Sequence, residues 1–125
     1  MKVYNTQEEV EKDVVNGVLK IDGDIKIECD VLLSRTSLII EGNINCWNIK
    51  CGDINCGDIT CDDINCGNIT CRDITCLDIN CGDINCEDIN FYAVAFAYNS
   101  FVCKSIKSKR ENSKYFCLDS DVIIL

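Results

Sequence analysis

Residues 42–91 read GNINCWNIKCGDINCGDITCDDINCGNITCRDITCLDINCGDINCEDINF, and one period runs through them. Isoleucine recurs every fifth residue, at Ile44, Ile49, Ile54, Ile59, Ile64, Ile69, Ile74, Ile79, Ile84 and Ile89. Two places after each comes Cys46, Cys51, Cys56, Cys61, Cys66, Cys71, Cys76, Cys81, Cys86 and finally Phe91. Asp or Asn stands directly before every one of these isoleucines, and Asn, Thr or (once) Lys directly after. A period of five fits neither a helix face, which needs spacings of three and four, nor a strand alternation of two. Within each unit, however, Ile and Cys are two apart. Over three extended residues they point to one side and the residue between them to the other. The next two residues, often Gly-Asp (Gly52-Asp53, Gly57-Asp58, Gly82-Asp83), are turn formers. A short extended segment and a corner, repeated, predict a polygonal coil with Ile and Cys inside, which is a solenoid.

Asp73-Ile74-Thr75 reproduces the Asp/Asn, aliphatic, Thr core of the pentapeptide-repeat family, and residues 42 to about 103 resemble that family. The resemblance implies an all-β solenoid: a right-handed four-sided β-helix with about four five-residue units per turn. Here Ile takes the first inward place and Cys the central one. With four units per turn, residues twenty apart stack about 4.8 Å apart. That predicts cysteine columns Cys46/Cys66/Cys86, Cys51/Cys71, Cys56/Cys76 and Cys61/Cys81, with Trp47 beside Gly67 and Leu77 beside Gly57. Phe91, Phe96 and Phe101 continue the cysteine positions and Val94 the isoleucine ones. They read as a closing layer that brings the core to about three regular turns, or roughly 15 Å.

The 125 residues read as a single domain, 1–125, with four parts. Residues 1–17 form an N-terminal cap with a helix near residues 7 to 16: Thr6 and Glu9 have capping-box spacing, Val10 and Val14 share a face, and Gly17 is a stop signal. Residues 18–41 form an irregular first β layer around Asp22-Gly23-Asp24, residues 42–103 the solenoid, and residues 104–125 a C-terminal cap. In that cap Tyr115–Leu118 and Val122–Leu125 read as strands flanking Asp119-Ser120-Asp121. They need burial against the last coil or a second subunit, so the sequence predicts a homodimer through its C-terminal end.

Composition narrows the function. There is no signal-peptide pattern and no apolar run able to span a bilayer, which predicts a cytoplasmic protein with no membrane partner. In that compartment the twelve cysteines are expected to be reduced and packed as small apolar groups. Stacked parallel side chains hold their Cβ atoms near 4.8 Å, wider than the roughly 3.8 Å of a disulfide. No His and no Cys-x-x-Cys occur, so no metal is expected. The net charge of −9 repels nucleic acid, and Asp53, Asp58, Asp73 and Asp78 are the candidate acidic interaction face. No catalytic constellation, phosphate loop or nucleophile elbow is present, and no cofactor is expected. The reading is therefore a non-enzymatic scaffold or protein-interaction module with a protein partner. The resemblance supplies an alternative, an acidic mimic of duplex DNA that binds a topoisomerase. The cysteine content supplies a weaker one, a thiol redox sensor.

Overall fold

The computed structural model describes all residues 1–125, and its named strands pair only in parallel. The chain winds in successive coils. The first holds β1 (Lys2–Tyr4), α1 (Gln7–Lys12) and β2 (Val18–Ile21), and the second β3 (Ile25–Ile27), β4 (Val31–Leu33) and β5 (Ser37–Ile40). The third holds β6 (Ile44–Asn45), β7 (Ile49–Cys51) and β8 (Ile54–Asn55). In the next three coils two sides merge into one longer strand: β9 (Ile59–Thr60) with β10 (Asp63–Thr70), β11 (Asp73–Thr75) with β12 (Asp78–Asn85), and β13 (Asp88–Phe91) with β14 (Val94–Cys103). The last coil holds β15 (Ser105–Ser108), β16 (Lys114–Cys117) and β17 (Val122–Ile124). Its seven stacked coils are separated by six steps, an all-β parallel solenoid of about six turns.

Its cross-section is set by the register. Ile44 pairs beside Ile59, Ile59 beside Ile74 and Ile74 beside Ile89, a step of fifteen residues. Ile49–Ile64–Ile79 and Ile54–Ile69–Ile84 make two further columns at the same step. Three units therefore complete a turn, and the expected twenty-residue, four-sided stacking is corrected to a three-sided one. A perfect five-residue repeat fits either polygon equally well. What favours the triangle is the corner: Gly52, Gly67 and Gly82 fall fifteen apart on one edge, where each glycine amide donates to the carbonyl one coil below, Thr36 for Gly52 and Gly52 for Gly67, both at 2.7 Å. Trp47, Asp62, Leu77 and Tyr92 share another edge, joined by the same coil-to-coil bonds, and Gly42, Gly57, Arg72 and Glu87 the third. Trp47 beside Gly67 and Leu77 beside Gly57 do not occur.

The first side runs β1-β3-β6-β9-β11-β13-β15. The second runs from β4 through β7 and the first halves of β10, β12 and β14 to β16. The third runs from β2 through β5, β8 and the second halves of the same three strands to β17. The isoleucines and most repeat cysteines line the axis in one core of 32 buried residues. The irregular layer is also part of the stack, since Ile25 pairs beside Ile44 and Leu38 beside Ile54. The solenoid is thus longer than the three turns expected, roughly 29 Å at strand spacing.

The ends depart from the sequence reading in three ways. The helix covers residues 7–12 rather than 7–16; Thr6 accepts the Glu9 amide at 3.2 Å, and Val10 is buried with the core. A strand, β1, precedes it. At the other end the pairing slips by one residue before Val94, so that Ala95 lies beside Ile79 and Phe96 beside Asn80. Phe96 therefore lies on the outer surface against Tyr98 and Phe116, and Val94 is exposed; Ala95 and Ala97 take the inward places. A second slip after Cys81 returns Phe101 inward, beside Ile84 rather than above a cysteine. No helix is long and apolar enough to cross a membrane.

Candidate interaction surface

The acidic residues are positioned by the unit itself. Each Asp or Asn stands at the corner just before an inward Ile, where its side chain can reach the next coil. Asn43 accepts the Asp58 amide at 2.9 Å, Asp58 the Asp73 amide at 3.3 Å, Asp53 the Asn68 amide at 3.0 Å and Asn68 the Asp83 amide at 3.1 Å. On the third edge Asn48 accepts from Asp63 at 3.1 Å and Asp78 from Val94 at 3.0 Å. These are ladders of side-chain acceptors that satisfy backbone amides at the corners. Asp53, Asp58, Asp73 and Asp78 do not form one face. With three units per turn they lie on all three edges, Asp58 and Asp73 stacked on one of them. Arg72 sits 3.6 Å from Asp58 and relieves part of that stack. Asp63 lacks such a cation: desolvation and the like charge of Asp78 push its carboxyl above the ordinary range.

The cysteines stack fifteen apart as Cys46/Cys61/Cys76, Cys51/Cys66/Cys81 and Cys56/Cys71/Cys86, the last continuing to Cys103 one slipped coil further. Cys46 and Cys61 are joined as a disulfide between adjacent coils, with a Cα separation of 4.8 Å. This pair departs from the expectation that the stacked cysteines stay reduced and unbonded, while the other ten cysteines are free. The Cys66 and Cys81 sulfurs lie 2.9 Å apart. Burial pushes the Cys76 and Cys86 thiols up to about 12. The hydrogen bond to Cys81 and then burial raise Cys66; the bond to Cys56 and then burial raise Cys71, which is half-buried rather than fully enclosed. Thiols held this firmly in the neutral form are poor nucleophiles.

The two ends differ. In the first coil Tyr4, Val10 and Leu19 are at most 1% exposed, and the Tyr4 hydroxyl donates to Asp13 at 2.7 Å. In the last coil the residues stacked on the buried Ala95 and Cys103 are Tyr115 and Ile124, which are 46% and 48% exposed. Phe116, Leu118, Ile123 and Leu125 are exposed around them. β15, β16 and β17 each have one neighbour only, so one edge of every strand is unpaired. The corner between β15 and β16 carries Lys109, Arg110 and Glu111, with Lys114 opening β16, and is net positive, whereas Asp119 and Asp121 form the corner between β16 and β17. The apolar runs 115–118 and 122–125 pointed to this end in the sequence. The separation of opposite charges onto two corners became visible only once each strand had a side.

The geometry defines the chain as a parallel β-solenoid repeat protein. No family model matches it, and neither a curated protein nor a solved structure is significantly similar to it.

Proposed function

We propose that this solenoid is a non-enzymatic scaffold that acts as a protein-interaction module through its open C-terminal end. The observation that carries this reading is the contrast between the ends: core positions closed at the first coil lie open at the last. On this reading α1 is an N-terminal cap, the coil is right-handed as parallel crossovers overwhelmingly are, and the unit is a pentapeptide repeat wound three to a turn. The acidic edges support the role without being the docking site, because their carboxylates are occupied in tying one coil to the next. Contiguous apolar surface beside unpaired strand edges is what a partner would cover.

The test places a photo-cross-linking residue at Phe116 and, as control, at Asn55, exposed in the middle of the solenoid. Irradiation in cells should give a discrete adduct from position 116 and none from position 55. Adducts from neither, or equally from both, would reject the end as the docking surface.

A further inference from the structure

We infer that the partner is a second copy of this chain, docked end to end about a twofold axis that runs through β16. The inference rests on the reading of the C-terminal end as the docking surface and adds which molecule covers it and in which orientation. A head-to-tail copy would bring this open coil to the first coil of another chain. There α1 occupies the side on which β16 needs a strand edge, and the core beneath is already closed. An identical open end instead offers unpaired edges and exposed inward side chains that match its own.

A triangular end admits three twofold arrangements, one through each side. An axis through the side of β15 would set Asp119 and Asp121 against their own copies. One through the side of β17 would set Lys109 and Arg110 against theirs. Only the axis through β16 exchanges the two corners, so that Lys109 and Arg110 meet Asp119 and Asp121 of the second copy, twice. The same axis runs β16 antiparallel to its copy and places β15 against β17 of the other chain. Every unpaired edge then gains a neighbour, while Tyr115, Val122 and Ile124 remain inward. Charge thus selects the orientation, as complementary fields do at protein interfaces, and edge pairing with apolar cover supplies the contact.

Charge exchange tests this with the full chain. Sedimentation should show a dimer at micromolar concentration. Lys109→Asp with Arg110→Glu, and separately Asp119→Lys with Asp121→Lys, should each weaken dimerisation at least about tenfold, since each sets like charges together at both contacts. All four residues are exposed, so far-UV circular dichroism should be unchanged, and any fall in melting temperature should depend on protein concentration, as loss of a dimer requires. An equimolar mixture of the two variants should regain the dimer, because the two net-acidic corners of one then meet the two net-basic corners of the other. A monomeric wild-type chain, a dimer indifferent to both variants, or no recovery on mixing would each overturn the inference. A monomer that still cross-links a different protein through position 116 would reject the second copy while leaving the docking end in place.

Discussion

At the scale of single residues, the corner decides more than the core. Gly52, Gly67 and Gly82 have ordinary φ angles, so conformational freedom is not their role. A Cβ at Gly82 would stand 2.9 Å from the Gly67 carbonyl oxygen, a backbone atom fixed by the coil below. We expect Gly82→Ala to destabilise by about 1–3 kcal/mol, as overpacking does. Asp62→Ala, on the edge that already carries side chains, should change stability by less than about 0.5 kcal/mol. Urea unfolding separates the two, and equal effects would mean the glycine edge is not close-packed. Asp63 gives a second prediction. Its folded carboxyl titrates above the unfolded one, so it favours the fold only when protonated and loses that contribution as pH rises through the folded value. At neutral pH it is therefore a small liability. Asp63→Asn keeps an acceptor, removes repulsion from Asp78, and should raise stability by less than about 1 kcal/mol for so exposed a group. The gain should fade as pH falls through the carboxylate range, and a gain that persisted in acid would have another origin.

At the scale of elements, the unit is plain within five residues of sequence and the polygon is not. Ile-x-Cys spacing fixed which side chains face inward, because inward and outward alternate along any extended segment. Nothing within five residues distinguishes three units per turn from four. The legible clue lay between units: at a step of twenty no column is all glycine, whereas at fifteen Gly52, Gly67 and Gly82 align. The candidate acidic face failed for the same reason, since its membership depends on the polygon. Phe96 faces outward, against expectation, because one extra residue before Val94 reverses inside and outside, and slips of this kind carry no local mark. The columns also make a prediction about the thiols. In denaturant without reductant ten cysteines should titrate, and all twelve after reduction of Cys46–Cys61. In the native protein the half-buried Cys29 and Cys117 should react long before Cys76 or Cys86. Because Cys76 and Cys86 ionise near 12 when folded, their stabilising contribution is full below the ordinary thiol range and is lost above it. Thermal stability should therefore fall steadily from about pH 9 upward under reducing conditions, and a flat alkaline profile would contradict the inward packing.

At the scale of the whole molecule, the charge distribution bears on mimicry of DNA. A duplex presents a phosphate about every 1.7 Å along its axis, counting both strands. Here the longest acidic column on one edge is Asp58, Asp73 and Asp88, and its members are one coil, about 4.8 Å, apart. Amides interrupt the edges at Asn43, Asn48 and Asn68, and these serve the coil-to-coil ladder as well as carboxylates do. The unit therefore selects an acceptor at this position and tolerates either charge state, which is what a structural ladder requires and a phosphate mimic does not. End-to-end pairing would double the length of the solenoid, yet it would place basic corners at the centre, where a continuous mimic needs its strongest negative field. We expect equimolar protein to leave DNA gyrase supercoiling essentially uninhibited. We also expect the combined Asp53→Asn, Asp58→Asn, Asp73→Asn and Asp78→Asn variant to fold with nearly unchanged stability, since each amide oxygen can still accept its bond. Potent inhibition that disappears in the folded quadruple variant would show that the carboxylates act by charge and would make mimicry the better reading. Inhibition that survives it would have to come from the C-terminal end.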